Sequence, residues 1–279
     1  MAEGFRLAGV IGWPVAHSRS PLLHGYWLRE HAIDGAYVKL AVAPGRLEPA
    51  LRGLAALGFA GCNVTLPHKQ EAARLVDRIE PLAARIGAVN MVTVAADGLL
   101  EGRNTDAEGF LAALAEADPD WRAASGPAVV LGAGGAARAV AAALLDAGAP
   151  SVRLLNRTRG RAEELAEALG GAVEALDWDR RAAALADAAL LVNTTTQGMA
   201  GQPALDLDLA LLPRAALVSD IVYTPLATPL LLAARARGNR VAPGLGMLLH
   251  QARPAFEAWF GVLPEVTPGL RASIEASFP

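Results

Sequence analysis

The sequence predicts an α/β protein of two domains, and three observations carry that reading. Short apolar runs bounded by Gly or Pro alternate with helical stretches along most of the chain, which implies mostly parallel sheets. A glycine-rich turn between a strand and an alanine-rich helix opens a second series of the same kind near residue 126. The 279 residues suffice for two domains, since one domain takes roughly 100–200.

In the first series, "RLAGVIG" (6–12), "AYVKLAV" (36–42) and "GCNVT" (61–65) read as strands, rich in Val, Ile and Ala. "SPLLHGYWLREH" reads as a helix with Ser20 as N-cap and Pro21 at the first helical position. "GRLEPALRGLAALG" sets Leu47, Leu51, Leu54 and Leu57 at helical spacing and stops at Gly58. Asp97-Gly98 within "NMVTVAADGLLEGRN" signals a hairpin. The order is therefore β-α-β-α-β-α followed by a hairpin.

In the second series, "GPAVVLGAGGAARAVAAALLDAGAPSVRLLNR" holds strand, turn, helix and strand, the length of one βαβ unit. "ALLVNTT" (189–195), "AALVSDIV" (215–222) and "RVAP" (240–243) read as further strands, with helices at "RAEELAEALG" and "TPLLLAARARG". The tail "GMLLHQARPAFEAWFG" reads as a helix returning to the first domain, with Pro243 and Gly244 as a hinge. The expected division is 1–103 with 245–279, and 104–244.

Composition narrows the function. A net charge of −3 suggests neither a basic nucleic-acid surface nor an acidic tail. The single cysteine, Cys62, excludes an intrachain disulfide and a cysteine-cluster metal site, and reads as a small buried filler. The opening "MAEGFRLAGVIGWP" lacks the pattern of a signal peptide, and "AVAAALLDAGA" breaks at Asp146, short of a membrane span. A soluble, cytoplasmic protein is expected. His17, His24 and His31 recur every seven residues. Two helical turns would separate the last two by about 10 Å, too far for one ion. They read as surface or packing residues, and no metal is expected.

"VVLGAGGAA" follows a strand and opens a helix, and Gly132, Gly134 and Ala137 fit the dinucleotide pattern G-x-G-x-x-A. The first glycine allows the tight turn, the second admits a pyrophosphate, and the helix N-terminus supplies N–H donors. The strand "SVRLL" then ends in "NRTRGR", with Asn156 24 positions after Gly132. A carboxylate at this corner would hold a ribose 2′-hydroxyl; Arg157, Arg159 and Arg161 stand there instead. Guanidinium groups bind phosphate well, so the corner argues for NADP over NAD.

"NVTLPHK" (63–69) ends in one of only two lysines, Lys39 and Lys69, among 25 basic residues. Lysine can give and take a proton where arginine stays charged. With "GWPVAHSRSP" (12–21), "GAVN" (87–90), "GRNTDAEGF" (102–110), "DIVYTPLATPLL" (220–231) and "GLGMLLHQA" (244–252), this stretch resembles the signature set of the shikimate dehydrogenase family. The motifs occur in order from residue 9 to about 256.

The resemblance implies an N-terminal α/β substrate domain with a mostly parallel sheet and a Rossmann-like NADP-binding domain. It implies Lys69 and Asp106 as the catalytic pair. Ser18 and Ser20 match serines that bind the substrate carboxylate; Thr65, Asn90, Asp106, Tyr223 and Gln251 match further substrate contacts. Gly132, Ala133, Gly134, Gly135, Ala136, Asn156, Arg157, Thr158 and Arg161 match the NADP site, and Ile221 and Gly244 line its nicotinamide pocket. One departure is His68, at a position that is often aromatic. The residues alone leave helix capping open for Ser18, Ser20 and Asp106, and Asn63 and Asn104 read as turn formers.

The implied reaction is reversible NADPH-dependent reduction of 3-dehydroshikimate to shikimate, toward aromatic amino acids. A Lys–Asp pair suits it, because hydride transfer to a ketone needs one group to exchange the hydroxyl proton. Two alternatives share the pattern. A quinate/shikimate dehydrogenase would prefer NAD, against which the arginine corner argues. A non-catalytic relative sensing NADP or a metabolite would lose Lys69 or Asp106, and both are present. A homodimer is left open as the assembly; nucleic acid and membrane are not expected as partners.

Overall fold

The computed structural model describes residues 4–278. It has the α/β class expected from the sequence and divides into two compact units. One runs to Thr105 and takes in Gln251–Ser277; the other is Asp106–His250 with Phe278.

The first unit runs β1 (Arg6–Gly12), α1 (Ser20–Glu30), β2 (Gly35–Ala41), α2 (Leu47–Ala56), β3 (Phe59–Val64), α3 (Lys69–Leu75), β4 (Arg78–Ile79), α4 (Pro81–Ile86), β5 (Met91–Val94) and β6 (Leu100–Arg103). Its sheet has the order β2-β1-β3-β5-β6-β4. β1 lies parallel to β2 and β3, and β4 parallel to β6, while β5 is antiparallel to both β3 and β6. The hairpin expected at Asp97-Gly98 is the β5–β6 turn, where Gly98 takes φ +82°.

The second unit runs α5 (Asp106–Ala117), β7 (Ala128–Leu131), α6 (Gly135–Asp146), β8 (Val152–Leu155), α7 (Arg159–Leu169), β9 (Val173–Leu176), β10 (Leu190–Asn193), β11 (Leu217–Asp220), α8 (Pro229–Ala236) and β12 (Arg240–Pro243). Its sheet is wholly parallel, in the order β12-β11-β10-β7-β8-β9. α9 (Gly244–Phe260) carries the chain back to the first unit, which α10 (Pro268–Glu275) completes. Among the described residues, no helix is long and apolar enough to cross a membrane.

Two boundaries differ from the expected ones. α1 already includes Ser20, and the capping position falls to Arg19, whose side chain makes no cap bond. Ser18 Oγ instead accepts the Ser20 N–H at 3.3 Å. α2 ends at Ala56, because Gly58 turns to φ +73°; Leu47, Leu51 and Leu54 are buried, while Leu57 lies beyond the helix and is exposed. Where Thr precedes Pro, the cap does form. Thr228 and Thr267 accept from Leu231 N and Leu270 N at the starts of α8 and α10. Such a cap contributes about 0.5–2 kcal/mol.

The first unit has an aliphatic core, in which Ile11, Leu47, Leu51, Leu54, Cys62, Val64 and Val92 pack together. It also has an aromatic core. Trp27, Tyr37, Phe256 and Trp259 surround His24, whose ring stacks on Tyr37 at 3.9 Å with an interplanar angle of 3°. Gly61 makes room for Trp259, since a Cβ there would lie 2.2 Å from the indole nitrogen and 2.1 Å from Val92 O. His24 is thus a packing residue, fully buried, with no hydrogen-bond partner for either ring nitrogen among the described residues.

A cation there would have neither water nor an acceptor, so burial lowers the His24 pKa from 6.5 to about 3. As pH falls below 6.5, the unfolded chain takes up a proton that the folded chain refuses until about pH 3, so stability is lost with acid through that window. His24→Phe keeps the stack and removes the titration. Urea denaturation at pH 7 and at pH 4 should show the variant gaining about 3 kcal/mol on the wild type at the lower pH.

Candidate functional site

In the first unit, Lys69 is the first residue of α3 and is half-buried. Two contacts hold its backbone. Val89 N–H donates to Lys69 O at 2.9 Å, tying α3 to the "GAVN" segment. His68, fully buried, places Nε2 2.7 Å from Val42 O. A carbonyl only accepts, so Nε2 carries the hydrogen. His68 Nδ1 lies 3.9 Å from Glu71 Oε2. Thr65 follows β3, its N–H bonded to Ile11 O at 2.9 Å. Gly12 opposite is needed for it, because a Cβ there would lie 2.5 Å from Thr65 Cγ2.

Asn90 is the centre of a buried network. Its Oδ1 accepts Thr105 N–H at 2.8 Å, and its Nδ2 donates to Thr105 Oγ1 at 3.0 Å and to Gln251 Oε1 at 3.4 Å. Thr105 Oγ1 donates in turn to Gln251 O at 2.8 Å. On the other side, Asn63 Nδ2 donates to Asn90 O at 3.1 Å and Asn63 Oδ1 accepts from Tyr37 Oη at 2.6 Å. Ser20 contacts the same phenol, whose pKa burial pushes well up. Ser18 and Ser20 are both buried.

Asn63 is therefore no turn former: it lies within β3 and is hydrogen-bonded at both ends. Asn104 does stand in the link between β6 and α5, but it is buried and donates across to Ala88 O at 2.9 Å. Asp106, buried, begins α5 in the second unit. Tyr223, also in that unit, meets Phe278 edge to face at 6.2 Å. The expected catalytic pair is thus drawn from both units, whereas Ser18, Ser20, Thr65, Asn90 and Gln251 all belong to the first.

The second unit holds the glycine loop between β7 and α6. Gly132 takes φ +113°, and a Cβ on it would lie 2.4 Å from Thr194 Oγ1, so the fold itself demands glycine. Gly134 is different. It is exposed at the N-cap of α6, and a Cβ on it would meet no atom of the protein within 4 Å. Behind the loop, Gly135, Ala133 and Ala137 are buried and Ala136 is half-buried. After β8, Asn156 Nδ2 donates to Thr158 O at 2.8 Å, and Thr158 occupies the N-cap of α7 without using its side chain. Arg159 pairs with Glu163 at 2.7 Å and with Asp177 at 2.5 Å. Arg157 and Arg161 are exposed, and among the described residues no carboxylate holds them.

Gly244 begins α9 hard against Ile221: an added Cβ would lie 2.4 Å from Ile221 O. That stretch is held by groups the sequence reading passed over. Asp220 Oδ1 accepts Asn193 Nδ2 at 3.0 Å and Val222 N–H at 3.1 Å, while Oδ2 accepts Thr228 Oγ1 at 2.7 Å. Asn193 and Asp220 are register partners closing β10 and β11. A signal was there to find, because "LLVN" and "LVSD" each end an apolar strand on a polar residue, at the strand ends where open parallel sheets bind ligands. No group of metal-binding side chains occurs among the described residues.

Residues 10–92 match the family model described as shikimate dehydrogenase substrate binding domain, 114–201 that of shikimate / quinate 5-dehydrogenase, and 244–272 that of shikimate 5'-dehydrogenase C-terminal domain. The shikimate dehydrogenase (NADP(+)) of Paramagnetospirillum magneticum is 62% identical, covering 98% of this chain and 99% of its own. That of Rhodospirillum rubrum is 61% identical, with 96% of both chains covered. Among solved structures, shikimate 5-dehydrogenase from Thermus thermophilus in complex with NADP(H) and shikimate aligns with a TM-score of 0.86 at 40% identity, over 97% of this chain and 99% of that one. Quinate dehydrogenase from Corynebacterium glutamicum in complex with NAD aligns at 0.90 and 32% identity, over 98% and 100%.

Burial raises the Asp220 pKa from 3.8 to about 6, against its three hydrogen bonds. Between these values the folded chain keeps a proton that the unfolded chain has released, so the stabilisation is full at low pH and is lost as pH rises through about 6. The difference in stability between wild type and Asp220→Asn should therefore shift toward the wild type by about 2 kcal/mol from pH 7 to pH 4. Paired denaturation curves measure it, and the His24 contribution cancels in the difference.

Proposed function

The chain belongs to the shikimate dehydrogenase family, and we propose that it catalyses the reversible NADPH-dependent reduction of 3-dehydroshikimate to shikimate. The observation that carries the reading is the corner after β8, where two guanidinium groups have no carboxylate partner among the described residues and Asn156 and Thr158 replace the carboxylate of an NAD site. Gly134 agrees with it, because nothing in the protein's own packing requires glycine there. In this reading residues 104–244 form the cofactor domain, and 1–103 with 245–279 the substrate domain. The same reading takes the enzyme to be cytoplasmic and leaves a homodimer open as its assembly.

The N–H groups of Gly132, Ala133, Gly134, Gly135 and Ala136 would hold the pyrophosphate at the positive end of α6. Asn156, Arg157, Thr158 and Arg161 would hold the ribose phosphate, and Ile221 and Gly244 would line the nicotinamide. NADPH supplies the hydride when bound. Ser18 and Ser20 bind the substrate carboxylate, and Thr65, Asn90, Asp106, Tyr223 and Gln251 contact its ring hydroxyls or carboxylate. Lys69 gives a proton to the carbonyl oxygen as the ketone is reduced and takes it back from the hydroxyl on oxidation, with Asp106 as its partner.

Quinate oxidation with NAD is the competing reading, and steady-state turnover of shikimate and quinate with each nucleotide separates the two. Lys69→Arg retains the charge and loses the exchangeable proton, so kcat should fall at least about 100-fold with the shikimate KM little changed. Wild-type turnover in that variant would remove Lys69 from the mechanism. Arg157→Ala should raise the KM for NADP roughly tenfold and leave that for NAD unchanged.

A further inference from the structure

We propose that Arg159 is a specificity-determining residue: it neutralises two carboxylates beside the nucleotide corner, so that Arg157 and Arg161 can sort NADP from NAD. The proposal rests on the NADP reading above.

Spacing along the sequence leaves this corner without a carboxylate, but the sheet supplies one. Leu155 and Leu176 are register partners in the parallel pair β8–β9. The next residues, Asn156 and Asp177, therefore leave the sheet side by side, with the strands about 4.8 Å apart. An uncompensated Asp177 would restore negative charge where a ribose 2′-hydroxyl is favoured and a 2′-phosphate repelled. Arg159 meets that charge directly, with Nη1 2.5 Å from Asp177 Oδ1 and Nε 2.7 Å from Glu163 Oε1.

The three arginines of "NRTRGR" are thus not equivalent. One is consumed by the acidic groups of the corner; the other two keep their charge for an anion. Helix stability does not explain the arrangement. α7 has no acidic residue in its first turn, and a cation at a helix N-terminus is disfavoured by the positive end of the helix dipole. Arg159 sits at that unfavourable place with both carboxylates as its compensation.

Calorimetric titration of the full chain with NADP+ and with NAD+ tests this in the wild type, Arg159→Gln, Asp177→Asn and the double variant. Both substituted side chains lie at the surface, so folding is not at stake. At low salt, Arg159→Gln should weaken NADP+ about fivefold and leave NAD+ within about twofold, as suits an exposed charge cluster. Adding Asp177→Asn should recover most of the loss, and about 0.5 M NaCl should shrink the effect in the single variant. Equal weakening of both nucleotides, unchanged NADP+ affinity, or no recovery in the double variant would overturn the proposal. A wild type that binds NAD+ as well as NADP+ would instead overturn the cofactor reading beneath it.

Discussion

One buried amide, that of Asn90, fixes where distant stretches of the first unit meet. Its side chain bonds to Thr105 through both backbone and hydroxyl and reaches Gln251 on α9. Its backbone accepts from Val64 N–H and donates to Arg103 O, joining β3 to β6. Asp106 is the residue after Thr105, and Val89, the residue before Asn90, holds Lys69. Every side chain proposed to touch substrate in this unit is therefore within a few bonds of a single amide. Such a network costs little when each member is satisfied and much when one partner is lost, because a buried donor or acceptor is then left unmade.

The two cores treat buried titratable groups in opposite ways. His24 has no hydrogen-bond partner among the described residues, and burial among aromatic rings keeps it neutral. Asp220 has three donors, yet burial still outweighs them and raises its pKa. The first group makes acid destabilising; the second makes it stabilising. His24 reaches a proposed site residue through one intervening side chain, and Asp220 adjoins another in the chain. The His24 ring stacks on Tyr37, whose hydroxyl leads to Asn63 and Ser20, and Asp220 precedes Ile221.

Much of the fold was legible in the sequence wherever a local rule had one physical solution. The turn at Gly132 needs a positive φ and a missing Cβ, and only glycine meets both. The apolar runs of β7, β8, β10 and β11 could scarcely be other than buried parallel strands. β4 and β9 escaped notice because one is two exposed residues and the other a half-exposed edge strand. What the sequence could not express was register. Asn63 looks like a turn residue until β3 is seen to present it to Tyr37, and Asp177 looks unrelated to Asn156 until the strands are laid side by side. The paired ends Asn193 and Asp220 belong to the same class of fact.

The scarcity of lysine drew attention to Lys69, but scarcity alone is a weak argument, and the other lysine shows why. Lys39 is a surface residue whose ammonium donates to Ala16 O, a task arginine could also perform. What separates the two is support. Lys39 lies on β2, an edge strand, with its side chain exposed. Lys69 starts a helix whose first turn is held from beneath by a buried imidazole and from the side by the Val89 N–H. Proton exchange with a bound alcohol needs the donor at hydrogen-bond distance in one orientation, and misplacement by an ångström can cost about 100-fold in rate. A pinned backbone under the ammonium suits that demand, and residue type at a held position, more than residue rarity, supports the proposal that Lys69 moves the proton.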